Sequence, residues 1–277
     1  MTEQTQDEYW NGENGEKWAR GADHLDAMLA PFLAPVLERV AQHNPKTILD
    51  IGCGAGALTL ACAKQHRDAV VTGVDLSQQL LRVARERASA QSSGAVFFKA
   101  DAMRFNAGDK VHAMVSRFGI MFFSDPVEAY TVLREKMATG GVFIAVCWQA
   151  LAKNDWMLVP FKAGIPYFKE DPAAPDPTAP GPFAFADADR TKRIFSDAGW
   201  RDVALTPWTG QLTLPGETMA DTVEFCINMG PLSSAIRTQG LDAETFKAPI
   251  EKALTAASPK KGQCLLGAAA WIVTAYA

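Results

Sequence analysis

Residues 48–60 read ILDIGCGAGALTL. An apolar run ending in Ile51 meets three glycines at alternate positions, Gly52, Gly54 and Gly56, and a second apolar run follows at once. Glycine is costly to order and has no side chain to pack. Three of them where a strand should meet a helix mean that something comes very close to the backbone. Two fingerprints fit. Gly52, Gly54 and Ala57 match the dinucleotide pattern G-x-G-x-x-[GA]; Gly52, Gly54 and Gly56 match G-x-G-x-G.

The flanking sequence supplies the fold class. TILDIG (47–52), AVVTGVDL (69–76), AVFFKAD (95–101), VHAMVSRFG (111–119) and VFIAVCW (142–148) read as buried strands. Helical segments separate most of them. SQQLLRVARERASAQ (77–91) sets Leu80, Leu81, Val83, Ala84 and Ala88 at helical spacing, with arginines on the opposite face and Ser77 placed to cap it. In DPVEAYTVLREKMATGG (125–141), Asp125 is the N-cap, Pro126 suits the first turn, Glu128 has capping-box spacing, and Gly140-Gly141 mark the end. Short alternating strands and helices imply an α/β, doubly wound, mostly parallel sheet. Beyond residue 150 the pattern changes. DPAAPDPTAPGPF (171–183) holds five prolines and reads as an extended surface loop. Residues 187–199 and 215–260 are helical in composition, and two further strands are expected, one at 200–214 and one at the end of the chain.

Composition narrows the function. With 277 residues, 48% of them hydrophobic, the chain can bury one sizeable core. A net charge of −4 disfavours a nucleic-acid partner, and the compact basic pair Lys260-Lys261 reads as a solvated helix end. The five cysteines are scattered with no Cys-x-x-Cys spacing, so neither a metal site nor a disulfide framework is expected. No targeting segment or membrane span is visible, and a soluble, cytoplasmic protein is the expectation.

Ligands of open parallel sheets bind at strand C-termini, where strand order reverses. Three acids stand there. Asp50, just before the glycines, would repel a pyrophosphate but suits an ammonium group. Asp75 ends the second strand, where a carboxylate can accept both ribose hydroxyls. Asp101 ends the third, where a carboxylate can accept from an adenine amino group. A ligand with a cationic end and a nucleoside answers to this set, and S-adenosylmethionine is such a molecule. For Asp75 the alternative of a helix cap stays open.

LDIGCGAG, GVDLS, KADAM and SRFGIMFFSDP, followed by LREKMATGGVFIAVCW, resemble the ordered motifs of class I S-adenosylmethionine-dependent methyltransferases. YWNGENGEKWA and LAPFLAPVLE resemble a bacterial small-molecule branch, similar to the ubiquinone/menaquinone C-methyltransferase relatives. The resemblance implies a seven-stranded Rossmann-like sheet with a helical cap and an N-terminal lid. One methyltransferase domain would span 1–277. Its lid is 1–44, its cofactor half 45–150, its cap insertions 151–186 and 215–262, and its C-terminal helix and strands 187–214 and 263–277.

The resemblance also implies roles. Gly52, Cys53 and Gly54 lie under the methionine part of the cofactor, with Asp50 near its amino group. Asp75 holds the ribose and Leu76 meets the adenine, whose edge Asp101, Ala102 and Met103 read. Ser116 and Arg117 face the transferable methyl, mainly through backbone. Trp10, Asn11 and Trp18 fold over the cofactor. Phe118, Met121, Trp148 and Trp156 are expected in a substrate pocket. His24 is a weak catalytic candidate in a helix where a surface histidine is the commoner outcome. The function implied is methyl transfer from S-adenosylmethionine to a small, partly hydrophobic metabolite in a closed pocket. The alternative is a nicotinamide-dependent oxidoreductase using the glycine turn for a dinucleotide. Oligomeric state is not readable.

Overall fold

The sheet grows outward from β1 (Thr47–Ile51), whose last four residues are buried. In this computed structural model, β2 (Val70–Asp75) and β4 (Val111–Arg117) flank β1 in parallel. Next to β2 lies β3 (Val96–Lys99), and next to β4 lies β5 (Met137–Trp148), both parallel. β7 (Leu265–Tyr276) runs antiparallel between β5 and β6 (Arg201–Thr213). The seven strands follow the order β3-β2-β1-β4-β5-β7-β6. Central parallel strands covered on both faces must be apolar throughout, which is why 47–51 and 142–148 read as continuous runs. The chain winds one way from β1 to β3 and the other way from β4 to β5. Right-handed crossovers then put helices on both faces and open a crevice at the C-terminal ends of β1 and β4.

The structure describes residues 6–172, 176, 178–258 and 263–277. The rest of the expected lid (1–5), of the proline-rich loop (173–175 and 177) and the segment 259–262 with its lysine pair lie outside the described residues. Ahead of β1 come α1 (Gln6–Asn11), α2 (Glu13–Arg20), α3 (Ala22–Leu29) and α4 (Leu33–Ala41). Within the winding are α5 (Ala57–Gln65), α6 (Gln78–Ala90) and α7 (Pro126–Glu135). α8 (Asp155–Gly164) and α9 (Ala188–Asp197) lie between β5 and β6. α10 (Met219–Asn228), α11 (Gly230–Thr238) and α12 (Glu244–Ala257) precede β7 and pack with α8 as a cap. No helix among the described residues is long and apolar enough to cross a membrane.

Capping follows local chemistry. The Leu80 amide donates to Ser77 Oγ at 3.4 Å, and the Glu128 amide donates to Asp125 Oδ1 at 2.9 Å. One boundary differs from expectation. α7 stops at Glu135, and Gly140-Gly141 sit inside β5 instead of ending the helix. Met137 is buried and pairs with Val111, so sheet pairing overrides the helical composition of 136–139.

The core centres on aromatic rings. Phe32 is fully buried, 4.9 Å from Phe118, 5.5 Å from Trp148 and 4.3 Å from Trp208 between ring centroids. It ties the helices before β1 to the ends of β4 and β5 and to β6. Phe32→Ala is expected to cost about 3–5 kcal/mol. Val70→Thr, at a position 62% exposed, should stay within about 0.5 kcal/mol. Urea unfolding of the two variants measures both.

Candidate functional site

The three glycines have different jobs. Gly52 has φ +64°, and a Cβ there would lie 2.9 Å from Gly119 Cα, so the turns after β1 and β4 touch backbone to backbone. Gly56, φ +82°, precedes α5 with the Phe97 ring 2.9 Å from where its Cβ would be. Gly54, φ +54°, has nothing within 4 Å of its Cβ position. Two glycines are thus demanded by close packing, and the middle one faces open space. Cys53 between them is buried against Leu60, Leu81 and Phe97, and burial pushes its thiol well up.

The acids crowd the same turn. Asp50 is 1% exposed; its Oδ2 accepts from Thr59 Oγ at 2.6 Å, while Oδ1 is buried with no partner among the described residues. Burial pushes this carboxyl up to about 7, against the Thr59 hydrogen bond and the Arg117 charge, which favour ionisation. Asp75 accepts from the Gly54 amide through Oδ2 and from the Ser77 amide through Oδ1, both at 2.8 Å. It therefore fastens the glycine turn to the start of α6. Burial raises it and these amides oppose the rise. Each of its oxygens keeps a second lone pair. Asp101 Oδ1 accepts from the Met103 amide at 2.9 Å and shapes the turn after β3.

A cavity of about 1860 Å³ runs along the C-terminal edge of the sheet, from the end of β3 to the end of β5. Asp50, Gly52, Cys53 and Gly54 line it, as do Asp75, Leu76, Asp101, Ala102 and Met103. Trp10 and Trp18 form part of its lid-side wall, with ring centroids 5.7 Å apart, and Trp10 also meets Phe122 at 5.5 Å. At the β5 end stand Phe118, Met121, Trp148 and Trp156. Phe118 stacks on Trp148 at 4.0 Å and takes φ +63°. A bulky residue in the left-handed region costs on the order of 1–3 kcal/mol, so the cavity wall carries stored strain. Trp156 is 6% exposed and its Nε1 has no partner among the described residues.

Three expected residues are elsewhere. Ser116 is fully buried and donates to the Ile51 carbonyl at 2.6 Å, cross-linking β4 to β1 instead of facing the cavity. Asn11 does not line it either. Its Nδ2 donates to the Leu76 carbonyl at 3.0 Å and its Oδ1 accepts from the Gln78 amide at 3.1 Å, pinning the end of α1 to the β2–α6 junction. His24 is exposed and lines a neighbouring groove with Lys17 and Asp221 instead of the main cavity. Arg117 does line the cavity, but through an ion pair with Asp26 of α3. Sequence reading missed Asp26 and Arg87. Arg87 reads as one of the arginines on the outer face of α6, yet its place next to Ala88 and three residues from Ala84 puts it at the border of the packed side.

The glycine assignments predict an order of stability. Gly54→Ala should cost about 1–2 kcal/mol, the left-handed penalty alone. Gly52→Ala should cost more, because its Cβ would also overlap Gly119 backbone. Thermal unfolding should therefore rank wild type above Gly54→Ala and Gly54→Ala above Gly52→Ala.

A family model described as a methyltransferase domain matches residues 48–141. The malonyl-[acyl-carrier protein] O-methyltransferase of Halalkalibacterium halodurans is 30% identical over 131 residues, 45% of this chain and 48% of that protein. The demethylmenaquinone methyltransferase of Thermus thermophilus is 32% identical over 116 residues, 42% of this chain and 53% of that one. The chain spans about half the length of these curated relatives. In fold it is similar to magnesium protoporphyrin IX methyltransferase from Synechocystis, solved with S-adenosylhomocysteine bound. That TM-score is 0.53 at 16% identity, over 75% of this chain and 91% of the other. Nothing in these comparisons supports the dinucleotide oxidoreductase alternative. Over residues 48–141 the chain is thus similar to a methyltransferase domain, and its sheet has the fold of solved methyltransferases.

Proposed function

We propose that the chain methylates a small, partly hydrophobic metabolite, holding S-adenosylmethionine over the glycine turn and the acceptor against the aromatic wall. The observation that carries this reading is the buried Asp50 oxygen with no partner among the described residues, beside a Gly54 whose Cβ position opens on empty space. The donor set fits the cofactor. Asp50 offers an acceptor for its ammonium, Asp75 retains lone pairs for hydroxyls, and the half-buried Asp101 turn suits an adenine edge. Bound S-adenosylmethionine supplies an activated methyl group on a positively charged sulfur.

The residues of this chain supply position and dryness. Ligand pockets typically hold about 300–1,000 Å³, so a cavity of about 1860 Å³ has room for an acceptor beside the cofactor. Phe118, Trp148 and Trp156 give that acceptor an apolar face and exclude water. Loss of sulfonium charge in the transition state favours such a wall. In-line alignment of two bound reactants contributes up to about 7–11 kcal/mol in favourable cases. No histidine lines the cavity among the described residues. The curated relatives act, by name, on malonyl-[acyl-carrier protein] and on demethylmenaquinone, which supports a metabolic acceptor. The net charge of −4 supports a partner other than nucleic acid.

Isothermal titration with S-adenosylhomocysteine and with NAD tests the reading: the first should bind and the second should not. The pH dependence gives a sharper check. The ionised form of Asp50 attracts the ammonium, and its carboxyl titrates near 7 in the free protein. Affinity for S-adenosylhomocysteine should rise about tenfold from pH 6 to pH 8 and level off above. Asp50→Asn should weaken binding at pH 8 and flatten the profile. Stability carries the opposite sign. With the native value raised above the ordinary 3.8, the free native state holds an extra proton between about 4 and 7. Wild-type stability due to this group falls as pH rises through that window. Asp50→Asn should therefore unfold at no lower temperature than wild type at pH 8.

A further inference from the structure

Outside the acids already described, Arg87 makes three hydrogen bonds, two of them to carboxylates. Its Nη1 donates to Asp26 Oδ2 at 2.6 Å and to the Ala55 carbonyl at 2.9 Å, and its Nη2 donates to Asp23 Oδ1 at 2.5 Å. The other oxygen of Asp26 pairs with Arg117 at the end of β4. These are not surface pairs. The side chains of Arg87, Asp26 and Arg117 are 19%, 20% and 11% exposed. One small cluster thus joins four pieces of chain: α3 of the lid, α6, the glycine turn and the tip of β4.

Ala55 lies between Gly54 and Gly56, in a turn with almost no side chains to fix its shape. A carbonyl held from behind is one of the few ways to set it. The same guanidinium holds Asp26, and Asp26 lies on α3, which walls the cavity through Leu25, Met28 and Leu29. We propose that Arg87 and Asp26 are positioning residues of the cofactor site, coupling closure of the lid to the shape of the glycine turn. The inference rests on the reading that this cavity takes S-adenosylmethionine. Lysine is a poor substitute for Arg87, because its nitrogen sits one bond nearer the backbone than Nη1 and it has no second nitrogen for Asp23. Asp23, 93% exposed, contributes a screened contact only.

The test uses S-adenosylhomocysteine on the full chain, with calorimetric affinity, stopped-flow dissociation and hydrogen exchange. Arg87→Lys and Asp26→Asn should each weaken binding at least tenfold and speed dissociation, while Asp23→Ala stays within twofold. In wild type the ligand should slow exchange in 22–29 and 52–57 together. In Arg87→Lys it should slow 52–57 without slowing 22–29, a decoupling that a merely stabilising ion pair would not produce. Should a variant fail to fold, the wild-type exchange decides: ligand protection of 52–57 alone overturns the inference. Wild-type binding with variants of equal affinity also overturns it and leaves the cofactor reading standing. Wild type that binds no S-adenosylhomocysteine overturns both.

Discussion

A carboxylate buried under a turn that has no side chains of its own is the constraint on which this structure turns. Asp50 is closed in by β2 and β4 on either side and, among the described residues, satisfied through one oxygen. A buried, half-satisfied acid is costly to any fold, and its upward titration is the signature of that cost. Such an arrangement persists where a cation completes it. The glycines make completion feasible, because Gly52 lets β4 approach the turn and Gly54 leaves the space above it clear.

The surroundings are organised to hold that turn still. Asp75 grips it through the Gly54 amide, Ser116 ties β4 to Ile51, and Arg87 holds the Ala55 carbonyl. Three polar side chains from three elements therefore fix a segment that cannot fix itself. At the far end the constraint is apolar instead. Phe118 keeps a left-handed backbone because Trp148 and Phe32 lock its ring from two directions. The polar end recognises and the aromatic end shapes, and a single sheet edge carries both.

Much of this was legible before any coordinates. The parallel winding, the caps at Ser77 and Asp125, and the three acids on successive strand ends follow from short-range pattern. A strand end, a glycine turn and a helix start occupy adjacent positions in the chain. What was not legible depends on pairs far apart. Ser116 reads as a polar residue at a strand end, and only its distance to the Ile51 carbonyl shows that it faces the neighbouring strand. Asn11 bonds residues 65 and 67 positions away, which no local pattern encodes. Arg87 sits at the border of an amphipathic helix, where a shift of one position separates solvent from an ion pair. α7 ends short of the expected Gly140-Gly141 because Met137 pairs with Val111 of β4. His24 is legible only as a residue type in a helix, and the groove it lines depends on distant residues such as Asp221.

A crystal structure of the chain with S-adenosylhomocysteine tests the central claim most directly. The account predicts the amino group of the ligand against Asp50 Oδ1, the ribose on Asp75, the purine beside Asp101, and the sulfur pointing along the sheet edge toward Phe118. A ligand seated away from the 52–56 turn, or Asp50 left without a cationic partner in the complex, would contradict it.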